Sequence, residues 1–173
     1  MPGWRRWFDR KFALGLPQEA FPDILERVRG TPARLEERTR LLSRETLVHR
    51  IGGAWSIQQN AGHLLDLEPL WSGRLDELLQ GAAELRPADL ENRKTHEADH
   101  NDRSMEELLR EFRPTRMTIV ERLEALSDDE VQISALHPRL RQPMTAVDLF
   151  FFVAEHDDHH LACITRILAE INA

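Results

Sequence analysis

The hydrophobic positions of the chain recur at helical spacing in four long stretches, and no stretch alternates with the two-residue period of a half-buried strand. The first runs from Pro22 to Leu42 and is carried by Ile24, Leu25, Val28, Leu35, Leu41 and Leu42. Gly30-Thr31-Pro32 interrupts it, which predicts one kinked helix or two short ones, since proline removes a backbone donor and Thr31 can cap. Gly52-Gly53 marks a turn. The second helix opens at Trp55-Ser56-Ile57-Gln58-Gln59, where Ser56 and Gln59 have capping-box spacing, and runs to about Gln80, with Pro69 expected to bend it. The third starts with a second capping box, Ser104 with Glu107, and reaches about Leu126, with a bend at Pro114. The fourth is capped by Thr145 with Asp148 and is apolar from Val147 to Ile171.

Between these stretches, residues 81–103 are polar and read as a long connection over the surface. Residues 127–143 read as a loop with a short turn at Asp128 to Val131, in which His137-Pro138 is ordinary loop chemistry. Four amphipathic helices without strands predict an all-α, four-helix bundle in a single domain, residues 1–173. Residues 1–20 form an arm in which Trp4, Trp7, Phe8 and Phe12 interleave with Arg5, Arg6, Arg10 and Lys11. So few apolar positions are expected to pack across one end of the bundle rather than to serve as a membrane or RNA toehold.

The fourth helix carries Glu155-His156-Asp157-Asp158-His159-His160. His156 and His160 lie one turn apart on one face, about 40° from each other. Relative to His156, the residues Leu149, Val153, Cys163, Ile164, Ile167 and Ile171 fall between about −20° and +80°, so both imidazoles look inward along an apolar stripe. His159 falls near −60°, at the edge of the stripe. Two inward imidazoles one turn apart form a two-point grip for a metal ion, because burying both without partners is costly. A third donor is then required. On the second helix His63 shares its face with Leu67, Leu70, Trp71 and Leu78, and it completes the set. His96 and His100 are also four apart, but with Glu97, Asp99 and Asp102 beside them and no apolar stripe they are assigned to a solvated face.

Three neutral imidazoles leave at least one coordination position for water or substrate, the arrangement of catalytic rather than structural sites. Imidazole accepts several divalent ions, with zinc or nickel the expected metals here. Asn60, Gln59 and Asp157 are candidates to orient the ligands. Cys163 is expected to pack as a core residue rather than to act as a nucleophile, since apolar burial raises a thiol pKa.

Composition narrows the partners. The chain has 173 residues, 41% hydrophobic and 31% charged, with a net charge of −7, which disfavours nucleic acid and anionic membranes. One cysteine, and no leader-like or spanning apolar run of ~18 to 20 residues, fit a soluble chain in the reducing cytoplasm.

Two segments resemble a known family. Ala54-Trp55-Ser56-Ile57-Gln58-Gln59-Asn60-Ala61-Gly62-His63-Leu64 is similar to the W-S-x-x-x-x-x-x-H-L segment of the DinB/YfiT-like metal-dependent enzymes. Met144-Thr145 through His156-Asp157-Asp158-His159-His160-Leu161 resembles that family's H-x-x-H-H helix, and the likeness extends over residues 20–171. The resemblance implies an up-and-down-type bundle with an unusual long connection and frequent homodimers. It also implies a divalent cation at one end of the bundle on His63, His156 and His160, the trio already selected by helical phase. Members include S-transferases that use a low-molecular-weight thiol (bacillithiol or mycothiol), isomerases and metal-dependent hydrolases. The chain departs from the family where Cys163 replaces a frequent glutamine three positions after the last histidine. The expected function is therefore a divalent-metal-dependent enzyme, a thiol S-transferase or hydrolase acting on a small molecule. The alternative is a non-catalytic metal-binding or ligand-sensing bundle.

Overall fold

The computed structural model describes residues 5–171, so Trp4 of the arm lies outside the described residues. Four long helices dominate: α1 (Phe21–Thr39), α3 (Ile57–Leu79), α5 (Met105–Glu124) and α7 (Ala146–Ile171). Three short ones stand between them: α2 (Arg44–Val48), α4 (Arg93–Glu97) and α6 (Asp128–Gln132). The helix starts are those the polar spacing indicates. Ser56 Oγ accepts from Gln59 N at 3.0 Å while Ser56 N donates to Gln59 Oε1 at 3.1 Å. Ser104 and Glu107 repeat the pattern at 3.1 and 2.9 Å. At the head of α7, Asp148 N donates to Thr145 Oγ1 at 3.3 Å and Thr145 N to Asp148 Oδ2 at 3.2 Å.

The Gly30-Thr31-Pro32 interruption does not break α1, and the reason lies in another helix. Pro32 leaves the Val28 carbonyl without its intrahelical donor. Arg116 of α5 supplies one, Nη1 to Val28 O at 3.3 Å, and Thr31 Oγ1 donates to Asp157 Oδ2 of α7 at 2.8 Å. The helices also run on through Pro69 and Pro114. α1 ends at Thr39, short of the expected Leu42, and Leu41 is solvent-exposed.

Each of α1 and α3 packs principally against both α5 and α7. The bundle is therefore a square in which α1 and α3 occupy opposite corners. This departs from simple up-and-down order, and the connection 40–56 is long enough to cross that diagonal. One apolar cluster centres on Val28, Trp71, Leu75, Val120, Leu149 and Phe150, and the second on Leu35, Ile57, Leu64, Phe112 and Ile164. No described helix is long and apolar enough to cross a membrane.

Two expectations for the connections are corrected. The 127–143 segment has its expected turn at Asp128 as α6, but adds a small antiparallel pair, β1 (Ala135–Leu136) with β2 (Pro143–Met144), in which Ala135 faces Met144. His137 follows β1 and is buried, because its Nδ1 accepts from the backbone N–H groups of Arg139 and Leu140, both at 3.2 Å. The 81–103 segment is not a solvated strap: Thr95 and His100 are both 2% exposed, whereas His96 is at the surface. The His100 ring lies so close to α3 that a Cβ at position 62 would overlap it, which is why glycine stands there inside a helix.

The arm does more than cover one end. Asp148 Oδ1 accepts from Gly15 N at 2.8 Å and Leu16 N at 3.0 Å, which pins the arm to the start of α7. Arg10 reaches Glu155 at 3.3 Å, and the Trp7 ring meets those of Phe152 and His156 at 5.1 and 5.0 Å.

Candidate metal centre

The structure brings His63 of α3 together with His156 and His160 of α7. One nitrogen from each ring can be chosen so that all lie within 4.8 Å of one another, and all three residues are at most 7% exposed. The hydrogen bonds fix which nitrogens face the centre. Thr95 Oγ1 gives its single proton to Asp66 Oδ2 at 2.9 Å, so at 2.9 Å from His63 Nδ1 it can only accept. His63 is thereby protonated on Nδ1 and presents a bare Nε2. Asn60 Nδ2 donates to Ser56 O at 2.8 Å, which turns its Oδ1 toward His160 Nδ1, also at 2.8 Å. His160 likewise presents a bare Nε2. That atom lies 3.2 Å from His156 Nε2, a spacing of two imidazole nitrogens that a shared proton or a cation between them must hold.

All three rings are neutral at pH 7. Burial pushes His63 down to about 4, partly opposed by Asp66 and reinforced by His100 and His96. Burial, followed by the neighbouring imidazoles, holds His156 and His160 well below the ordinary value. Neutral imidazole is the ligating form, so the donor set suits a divalent cation. In the unfolded chain the same rings take up protons below pH ~6.5, whereas folded His63 resists until about 4. The unfolded state therefore binds more protons in that window, and stability falls on acidification through it. Thermal melts of the chelator-treated chain should shift downward between pH 7 and pH 5, with His63 alone accounting for about 2 kcal/mol. A flat profile over that range would contradict neutral buried rings.

Behind His63 runs a chain of hydrogen bonds that sequence reading missed. His100 Nε2 lies 2.8 Å from Asp66 Oδ2, and Thr95 links the same carboxylate to His63. Burial opposes the charge on Asp66, yet the bonds from His100 and Thr95 bring its pKa below the ordinary value. The signal for Asp66 was its place three residues after His63 on one helix; Thr95 offered none. Loss of such an outer partner typically weakens metal binding about 10- to 100-fold, and that drop in zinc affinity is expected for Asp66→Asn in a chelator competition. Unchanged affinity would mean that His63 is oriented without this chain. Of the other orienting candidates, Gln59 serves the helix cap and Asp157 pairs with Arg116.

His159 stands beside the trio but outside it. Its Nδ1 lies 3.4 Å from Arg10 Nη2 and its Nε2 3.8 Å from Cys163 Sγ. Burial raises the Cys163 thiol to about 11, in line with an unreactive side chain.

The trio opens on a cavity of about 580 Å³. Trp55, 4.7 Å from the His63 ring, and Trp7 of the arm form part of its wall, with Trp71 and Phe152 deeper.

The profile of the DinB superfamily matches residues 27–164. The chain belongs to the DinB superfamily. Among solved structures, this DinB-superfamily chain is similar to YfiT from Bacillus subtilis, described as a probable metal-dependent hydrolase with an unusual four-helix bundle topology. The TM-score is 0.83 at 19% identity, over 94% of each chain. It is also similar to a mycothiol-dependent maleylpyruvate isomerase, with a TM-score of 0.64 at 13% identity, over 87% of this chain and 62% of that one. At these identities the likeness is one of fold. No functionally curated protein matches the sequence.

Proposed function

We propose that the chain is a divalent-metal-dependent enzyme in which His63, His156 and His160 hold the metal, zinc or nickel, and that it acts on a small molecule as a thiol S-transferase or hydrolase. The observation that carries this reading is a cluster of three buried neutral imidazoles that faces a 580 Å³ cavity, with no fourth carboxylate, thiol or imidazole joining it among the described residues. A closed structural site ordinarily recruits that fourth ligand. When bound there, a divalent cation supplies the Lewis acidity that makes a thiol or a water nucleophilic at neutral pH. The protein's own part is to hold His63 and His160 in fixed tautomers through Thr95 and Asn60, and to line the approach with Trp7, Trp55 and Trp71. Family membership and the descriptions of the two similar proteins, one a probable metal-dependent hydrolase and one mycothiol-dependent, support the reaction classes.

The test is metal content of the untagged chain, followed by thiol transfer to a chlorinated electrophile and ester hydrolysis, before and after chelation. About one equivalent of metal is expected, with turnover that chelator abolishes and zinc or nickel restores. Metal bound at one equivalent without turnover of either substrate class would instead assign a non-catalytic binding bundle.

A further inference from the structure

Away from the imidazoles, the cavity wall carries positive charge that its own carboxylates do not balance. Arg74 and Arg139 both line it. Arg74 is 1% exposed and pairs with no carboxylate among the described residues: Nε and Nη2 donate to the neutral Arg86 O at 3.1 and 2.9 Å, and Nη1 lies 3.2 Å from His137 Nε2, which bears the ring proton because Nδ1 accepts and so takes no bond from it. Glu77 attracts it, but the Glu77 oxygens are taken by the Arg86 N–H and Nε at 2.7 and 2.6 Å. Arg139 forms no ion pair among the described residues; its Nη2 is buried without a hydrogen-bond partner, and the guanidinium rests over the rings of Phe8 and Phe152 at 5.3 and 6.0 Å. Asp89 is the one carboxylate among the described lining residues, and its oxygens accept from the backbone N–H groups of Glu91 and Arg93.

A buried guanidinium without an anion is costly, and an unspent N–H beside it more so. Burial, then Arg74 and Arg139, push the intervening His137 down to about 4, so this imidazole stays neutral and adds no third positive charge. The corner also faces the metal centre. The Trp71 ring lies 5.6 Å from Arg74 Cζ on one side and 5.8 Å from the His156 ring on the other.

We propose that Arg74 and Arg139 form a carboxylate-binding subsite, and that the small molecule brought to the three histidines is an organic acid whose carboxylate docks there while its apolar body lies along Trp71 and Phe152. A planar carboxylate matches the fork of a guanidinium and supplies the missing charge. The inference rests on reading the cavity as a substrate site.

The test is calorimetric titration of the zinc-treated full chain with 4-phenylbutyrate and with 4-phenylbutyramide, which differ in the charged group alone. The acid should bind at least about tenfold more tightly than the amide. In Arg139→Gln the acid should fall to the level of the amide, whose affinity should not change, and Arg139→Lys should restore part of the difference. Melting curves identify any variant that fails to fold, and wild type alone already decides the matter: equal affinities, or binding of neither compound, would overturn the inference. Zinc content is read on the same samples. A chain that holds zinc but does not distinguish acid from amide loses this inference and keeps the metal centre; one that distinguishes them without holding zinc does the reverse.

Discussion

Replacing His63, His156 or His160 with alanine is expected to lower zinc affinity by more than about 100-fold in each case, while His159→Ala leaves it within a few-fold of wild type. Each of the three can offer one nitrogen to a common centre, and two of those nitrogens are bare because Thr95 and Asn60 hold the protons on the far side of the rings. Under the proposed assignment, removing one ring would leave two ligands, and a bound ion would then have to recruit water in a buried setting. His159 has its nitrogens turned to Arg10 and Cys163 instead. Competition against a chromophoric chelator reads all four variants. Loss at His159 comparable to that at His160 would overturn the assignment of the trio.

The second large effect is structural. Arg116→Met is expected to destabilise the protein by about 3–5 kcal/mol, read as a shifted urea midpoint at unchanged slope. Arg116 is buried between two buried carboxylates, with Nη2 2.6 Å from Glu68 Oε1 and Nη1 2.5 Å from Asp157 Oδ2. Burial works against the guanidinium charge, but Asp157 and Glu68 more than compensate, so it stays protonated. With Val28 and Thr31 of α1 in the same network, one arginine ties together all four long helices. Its loss strands two carboxylates in the core. Asp157 follows His156 directly, so the network also fixes the rotation of α7 that points His156 at the centre. Arg110→Ala, which removes an exposed pair with Glu106 on the same helix, should change stability by less than about 0.5 kcal/mol. A loss below about 1 kcal/mol for Arg116→Met would show that the carboxylates can protonate or rehydrate at little cost.

Much of this was legible one helix at a time. The caps at Ser56, Ser104 and Thr145, the apolar stripes, and the inward phase of His63, His156 and His160 are local properties. Backbone periodicity and side-chain type suffice to state them, and the structure places all three imidazoles where their stripes point. Asn60, three residues before His63, was also among the candidates to orient the trio, though the imidazole it meets is His160 of α7 rather than its helical neighbour.

What the periodicity of a helix does not carry is who stands opposite. Glu68 and Arg116, 48 positions apart, are buried only because α3 and α5 set them against each other; Pro32 reads as a break until Arg116 takes up the carbonyl it releases. His100 and Thr95 lie in a polar segment without any stripe, and they are buried because Gly62 admits the His100 ring and Asp66 offers both of them an acceptor. His137, Arg74 and Arg139 meet only when the β1–β2 turn folds over α3. The helices, their apolar faces and the three ligand candidates follow from local pattern, because hydrophobic burial and capping act within a few residues. The diagonal placement of α1 and α3, the buried charges and the chemistry of the cavity wall emerge when the helices pack, because a polar group is buried at low cost only when a partner from elsewhere in the chain satisfies it.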